Sequence, residues 1–147
     1  MADSKRKRIM DAVLSALSNV TSLVYVSERL VHWEELDASK FPACFPIDSD
    51  ERKTPHVLFE SATEDMHSTL TLILTCYCYE SQGNTRQQRT DLIKNIEAEF
   101  ATGATALNAL AVTVTATRVV TDKGALDTYS IFDCEYEIEY LYDHTSP

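Results

Sequence analysis

Two cysteines have a spacing that could hold a metal ion or form a redox pair. Cys76 and Cys78 are separated by one residue, so on a strand both thiols lie on the same face. Zinc needs two further ligands, and the sequence offers no C-x-x-C or H-x-x-x-H partner. The other residues on that face are leucines, and free cysteine is commonly buried as a small apolar side chain. We therefore predict that both cysteines belong to the core and that no metal is bound.

A catalytic thiol would need a histidine beside it as a base and a third group to orient that histidine. The sequence places none of its four histidines beside Cys44 or Cys134. These histidines are His32, His56, His67 and His144. No G-x-S-x-G, Walker A, G-x-G-x-x-G or H-E-x-x-H motif is present, and three glycines leave little material for a phosphate-binding loop. We predict a protein that is not an enzyme, without catalytic residues or a cofactor.

Four carboxylates alternate along the last predicted strand and so share one of its faces. They are Asp133, Glu135, Glu137 and Glu139. The simplest interpretation is a solvent-exposed face. The alternative is a surface that meets a basic partner, or one that lines a lumen and does not attract nucleic acid. Carboxylates on one flat strand do not wrap a calcium ion as a loop can, so we expect no calcium site.

A basic run opens the first predicted helix, although the formal net charge of the chain is -10. The run consists of Lys5, Arg6, Lys7 and Arg8. An exposed helical turn explains it most simply. Positive charges at a helix N-terminus nevertheless oppose the helix dipole. A second interpretation is therefore contact with an acidic partner, such as the carboxylates of a neighbouring copy.

Length and charge limit the class of protein. The 147 residues make about one domain, and we predict a single domain over 1–147. The acidic excess argues against nucleic-acid binding, which depends on Lys and Arg neutralising phosphates, and against docking on an anionic membrane. No apolar run approaches ~20 residues, so we expect no transmembrane helix. Four unevenly spaced cysteines indicate no disulfide framework and favour the cytoplasm.

Hydrophobic periodicity predicts an α+β fold, with a mostly antiparallel sheet of about four to five strands and two helices on one face. Helices are predicted over 5–20, capped by Ser4 or Asp3, and over 85–101, capped by Thr85. Strands are predicted over about 23–27, 56–60, 69–79, 110–117 and 128–142. The threonine-rich faces at 69–75 and 113–117 match in character, which indicates that these two strands are neighbours.

A long proline-containing loop is predicted over about 30–55. Three of the four prolines fall in it, which argues against a central strand. The segment is also rich in large apolar side chains, and a long apolar loop is typical of a functional or packed segment. Trp33, Phe41 and Phe45 are therefore candidate interface residues, together with the basic run.

The order of elements resembles that of the tail terminator, or minor tail, proteins of long-tailed bacteriophages. The segments that carry the likeness are K-R-I-M-D-A-V-L-S-A-L at 7–17, V-Y-V-S-E-R at 24–29, F-P-A-C-F-P at 41–46, S-T-L-T-L-I-L-T-C-Y-C-Y at 68–79, R-T-D-L-I-K-N-I-E-A-E-F at 89–100 and E-Y-E-I-E-Y-L-Y at 135–142. The resemblance covers roughly 5–142 and is one of pattern and order.

The resemblance implies a structural virion protein that forms a ring, usually a hexamer, on the tail tube. Such a ring ends tube polymerisation and presents a surface to the head connector. The implied partners are further copies, the tail tube protein and the head-tail connector protein, with assembly in the host cytoplasm. DNA would pass through an acidic lumen without specific binding, and no membrane is involved. Two alternatives stay open: a neck or head-completion protein, and a small α+β ligand-binding module or enzyme.

Overall fold

The computed structural model describes residues 3–55, 64–80, 85–123 and 128–145. Within these ranges there are five strands and three α-helices. The strands are β1 (Tyr25–Val26), β2 (Ala43–Pro55), β3 (Met66–Tyr79), β4 (Thr113–Thr121) and β5 (Tyr129–Tyr142). The helices are α1 (Lys5–Ser18), α2 (Thr85–Ala98) and α3 (Thr105–Leu110), with a π-helical segment at Glu99–Gly103 between the last two.

The strands form one sheet in the order β1-β2-β3-β5-β4. β1 runs parallel to β2, and every other neighbouring pair is antiparallel. β3 and β5 lie at the centre and pair along their whole length, from Met66 opposite Tyr142 to Tyr79 opposite Tyr129. The predicted α+β class, with a mostly antiparallel sheet and helices on one face, is confirmed.

Alternate residues of the two central strands form the core with the helices. Leu70, Leu72 and Leu74 are fully buried, as the period-two pattern predicts, and each buried leucine stabilises the fold by about 2 kcal/mol. The apolar side of β5 is also buried as predicted. Its residues are Phe132, Cys134, Tyr136, Ile138, Tyr140 and Tyr142. The helix α1 begins at its predicted cap, because the Ser4 hydroxyl accepts a hydrogen bond from the Lys7 amide at 3.2 Å.

The prediction of a loop over 30–55 is wrong for its second half, because residues 43–55 form the strand β2. Pro46 lies in this strand, opposite Leu74 of β3. The strand tolerates proline because β1 pairs only with Ala43 and Cys44, so the rest of β2 is an edge of the sheet as described here. The first half contains two short 3-10 turns, Trp33–Glu35 and Ala38–Lys40.

Three further predictions, one about strand order and two about the ends of elements, need correction. The threonine-rich strands β3 and β4 are not neighbours, because β5 lies between them. Thr85 is the first residue of α2 rather than its cap, and Leu110 ends α3 instead of starting a strand. The predicted strand at 56–60 lies outside the described residues.

Candidate interaction face of the sheet

One end of the sheet face opposite the helices is covered by an aromatic cluster. Its buried members are Leu36, Phe41, Ala43, Phe45 and Tyr77, with Trp33, Tyr79, Tyr129 and Ile131 among the residues packed around them. The Trp33 and Tyr129 ring centroids are 4.7 Å apart, and the Tyr77 hydroxyl donates a hydrogen bond to the Val31 carbonyl at 2.8 Å. The segment before β2 is thereby fastened over the sheet.

This packing corrects two of the candidate interface residues. Phe41 is 8% exposed and Phe45 is fully buried, so their rings contact the chain's own sheet and offer no surface to a partner. The Phe45 and Tyr77 centroids lie 5.3 Å apart, a separation typical of favourable aromatic pairs. Trp33 is half-buried against Tyr129. The sequence indicated that this segment packs against something, and the partner is β3 and β5.

The rest of that face is open, and we call it the carboxylate face. It consists of Asp133, Glu135, Glu137 and Glu139 on β5 with their cross-strand neighbours on β3 and β4. Threonines flank the carboxylates: Thr75, Thr71 and Thr69 on β3, and Thr115 and Thr113 on β4. All four carboxylate residues are half-buried rather than freely exposed. The flanking strands therefore hold them in one row, whereas the simplest sequence interpretation was a solvated face.

Three of the four carboxylates have a partner within the chain. Asp133 accepts a hydrogen bond from the Thr75 hydroxyl at 2.9 Å, and Glu135 lies 3.5 Å from the Arg118 guanidinium. Glu139 lies 3.6 Å from the His67 ring. No described side chain pairs with Glu137. The face therefore keeps an uncompensated negative charge near its centre.

The spacing of the carboxylates makes them repel one another. Residues two apart on a strand are about 7 Å from each other, which is within the Debye length of about 8 Å at physiological salt. At that distance two unit charges repel by about 0.6 kcal/mol in bulk water, and by more beside the protein. A basic partner, or a neighbouring copy that brings a cation, would relieve this repulsion.

The basic run lies on the helix side of the sheet and is mostly paired within the chain. Lys5 lies 2.8 Å from Glu64 and also donates to the Leu141 carbonyl at 2.6 Å. Arg6 reaches two carboxylates of β2, Asp48 at 2.8 Å and Glu51 at 3.2 Å. Lys7 also pairs with two carboxylates of the chain, Asp11 and Asp3, and the hydrogen bonds to them raise the pKa of Lys7. Arg8 is exposed. Internal carboxylates therefore explain three of these four charges without an external partner.

Glu51 is a structural carboxylate that the sequence analysis missed. Its side chain is 6% exposed and accepts hydrogen bonds from the hydroxyls of Ser68 and Tyr140, while Arg6 approaches its other oxygen. Burial alone would raise the pKa of Glu51, but these hydrogen bonds and the Arg6 charge outweigh burial and lower it. The pairing of β2 with β3 shifts its register between Asp48 and Glu51. The only signal in the sequence is an acidic residue in a run of charged residues.

The four cysteines are free and buried, which confirms the predicted core role of Cys76 and Cys78. Cys44 lies directly opposite Cys76, with the two sulfurs 3.6 Å apart. Hydrogen bonding to Cys134 and Cys44, together with burial, raises the pKa of Cys76, and burial raises the pKa of Cys78 to about 12. Since the thiolate is the reactive form, these thiols are chemically inert in the folded chain.

One group of described residues could hold a metal ion: Asp65, Asp143 and His144, whose ligand atoms lie within 4.8 Å of one another. It lies where β3 begins and β5 ends, and Asp65 is already hydrogen-bonded to the backbone and the ring of His144. The backbone hydrogen bond from His144 is the main cause that lowers the pKa of Asp65. No local pattern in the sequence indicates this group, because sheet pairing brings together residues 79 positions apart.

Within the described ranges, no helix has both the length and the apolar character needed to cross a membrane. The sequence matches no protein-family model and no curated protein.

Proposed function

We propose that the protein is a structural, non-catalytic subunit that assembles with further copies into a ring at the end of a phage tail tube. The observation that carries this proposal is the carboxylate face, a broad acidic surface that none of the described segments covers. Turned toward a lumen, this face would repel the phosphates of passing DNA and let DNA through without holding it. The resemblance in the order of elements supports the ring, usually a hexamer.

In this role the ring ends polymerisation of the tube and provides the surface for the head connector. The proposed partners are therefore the tail tube protein and the head-tail connector protein, and the proposed location is the virion tail after assembly in the host cytoplasm. The net charge of -10 suits a protein that lies close to DNA without binding it.

A cleft of about 510 Å³ between α1 and β2 is the place where a ligand-binding or catalytic function would be sought. Its charged side chains already pair with one another, Arg6 with Asp48 at 2.8 Å and Lys7 with Asp11 at 2.9 Å. The nucleophilic side chains that line the cleft are also engaged, since the Ser4 hydroxyl caps α1 and Lys7 is paired with Asp11 and Asp3. The cleft therefore adds nothing in favour of an enzyme.

Light scattering on the purified full chain, with and without the tail tube protein, tests the assembly. A ring predicts a discrete complex that contains several 16.5 kDa copies of this chain, formed alone or on contact with the tube protein, whose own mass then adds to it. A strict monomer under both conditions would contradict the proposal. Electron microscopy of particles that lack the protein separates the two virion functions. Loss of a terminator leaves overlong tails, whereas loss of a neck protein leaves normal tails unjoined.

The orientation of the carboxylate face has its own test. In the assembled ring, Glu137→Lys with Glu139→Lys should cause retention of duplex DNA at physiological salt, because the lumen then attracts phosphates. The matched control is Asp91→Lys with Glu97→Lys, which changes the net charge equally on exposed positions of α2. Equal retention by both variants would show that the carboxylate face does not line the lumen.

A further inference from the structure

The sheet has two long edges that no described strand of the chain covers. β4 is the outermost strand on one side, beside β5. On the other side, β1 pairs only with Ala43 and Cys44, so β2 is uncovered from Phe45 to Pro55, and within this stretch only Pro46 and Pro55 lack an N–H to donate. An uncovered strand presents a row of unpaired N–H and C=O groups that can pair with another chain.

The edge at β4 has few of the features that block such pairing, apart from a register shift between Ala116 and Arg118. Its nine residues, TVTATRVVT, include no proline and no lysine, and β-branched residues of this kind favour strands. The single charge, Arg118, lies 3.5 Å from Glu135 of the same chain. Val112, Val119 and Val120 are 57%, 42% and 38% exposed, and they are three of the five large apolar side chains described as exposed. The exposed apolar surface of the chain is thus concentrated at this edge.

The strand directions make the two edges complementary. β2 is antiparallel to β3, β3 to β5, and β5 to β4, so β4 runs opposite to β2. A second copy placed beside the first in the same orientation therefore brings its own β2 antiparallel to β4. Antiparallel pairs are slightly more stable per residue than parallel ones. Joining two different edges in this way is a head-to-tail contact, which closes into a ring when the rotation between copies permits.

β2 of the second copy also brings a cation to the side of the carboxylate row. Arg52 is exposed on β2 and lies opposite Thr69, which lies opposite Glu139, so Arg52 belongs to the same face as the carboxylates. In the joined sheet, Arg52 of the second copy would be two strand spacings, about 10 Å, from the carboxylate row, the separation that Arg52 of the first copy already has across β3. A pairing of two β4 strands would bring Arg118 to the same separation, so the choice between the two contacts rests on strand direction.

We propose that the outer edge of β4 pairs with the uncovered edge of β2 from a second copy of this chain, head to tail. This inference deepens the ring proposed above and rests on it. It assigns the subunit contact to two backbone edges.

Cysteine cross-linking tests the contact, because the four native cysteines are buried. Thr115→Cys on β4 and Arg52→Cys on β2 would be made singly and together, and each protein treated with a short bismaleimide. Within one copy these strands are three spacings, about 14 Å, apart, so a short linker joins different copies. The double variant should give a ladder of covalent multimers, and each single variant should stay a monomer on a denaturing gel.

The other outcomes separate this inference from the proposed ring. A ring seen by light scattering without cross-links in the double variant would overturn the edge pairing and leave the ring standing. Covalent dimers of the single Thr115→Cys variant would overturn it in favour of a two-fold contact between β4 strands. A monomer under all conditions would overturn both.

A charge variant gives an independent measurement. Val119→Lys places a charge on the β4 edge and should weaken self-association by about tenfold. The matched control, Ala98→Lys, is an exposed position of α2, which packs on the central strands, and its self-association should be unchanged. Circular dichroism checks that both variants keep the fold. Equal association of Val119→Lys and the unaltered chain would count against the edge pairing.

Discussion

Glu51 is the carboxylate that connects α1, β2 and the two central strands. The substitution Glu51→Gln keeps the shape of the side chain and removes its charge. The oxygen that accepts from Ser68 and Tyr140 can remain, but the group facing Arg6, now 3.2 Å from the guanidinium, becomes an amide NH2. A donor then faces a donor in a site that is nearly closed to water.

The cost of this change follows from the number of contacts. A hydrogen bond to a charged group contributes about 1.5–3 kcal/mol and a neutral one about 1 kcal/mol, so two weakened bonds cost about 1–4 kcal/mol. Arg6 is 40% exposed, so its ion pair contributes at most about 1 kcal/mol. Removing a buried charge recovers part of this loss. We expect a net loss of about 2 kcal/mol, or a Tm lower by about 4–8 °C.

The same loss should depend on pH. The pKa of Glu51 is lowered in the folded chain, so its ionised form contributes stability that is fully present above the unfolded value of about 4.3. That contribution disappears as the pH falls through the folded pKa. Urea unfolding followed by circular dichroism should therefore show a difference between the unaltered chain and Glu51→Gln of about 2 kcal/mol at pH 7, and a much smaller one near pH 3.

Glu64→Gln is the matched control, because Glu64 also pairs with the basic run but its side chain is 45% exposed. Its loss should stay below about 1 kcal/mol. Equal stability of Glu51→Gln and the unaltered chain at pH 7 would refute the reasoning. A difference that persists unchanged at pH 3 would show that the shape of the side chain, and not its charge, is what matters.

Two further predictions concern buried side chains. Phe45→Ala should lower the free energy of unfolding by about 3–5 kcal/mol in urea, because it empties a fully buried site between Tyr25 and Tyr77; a loss of subunit assembly without loss of stability would restore Phe45 as an interface residue. The four cysteines should react with a thiol reagent at pH 8 only as fast as the chain unfolds, and a rapid reaction of Cys76 in native buffer would contradict its burial.

The elements predicted best are those whose signal is local. β3 and β5 lie within a few residues of their predicted bounds, because side-chain alternation on a strand depends on neighbouring residues alone. The strand β2 was missed because the tolerance of Pro46 depends on how little of β2 is covered by β1, which no local pattern records. The pairing of Glu51 with Ser68 and Tyr140 is likewise a product of strand register.

In the candidate site, too, the features that depend on neighbouring residues were predicted and those that depend on distant contacts were not. The row of carboxylates follows from alternation, and its residues were predicted correctly as sharing one face of a strand. What the pattern could not indicate is that β3 and β4 flank the row with threonines, since strand order is set by contacts between residues far apart in the chain. Phe41 and Phe45 were predicted as interface residues, although both are buried. Their apolar character was recognised, but their partner was the chain's own sheet.

The carboxylate row lowers the stability of the isolated chain. Three adjacent pairs that each repel by up to about 0.6 kcal/mol before salt screening cost at most about 2 kcal/mol, against the 5–15 kcal/mol that is typical of a domain. Thr75, Arg118 and His67 relieve part of this cost at Asp133, Glu135 and Glu139, but none of them approaches Glu137. The row of carboxylates therefore gives no stability to an isolated chain. In the proposed ring, the same charges would face the phosphates of passing DNA and repel them, so the assembly gives the repulsion a use.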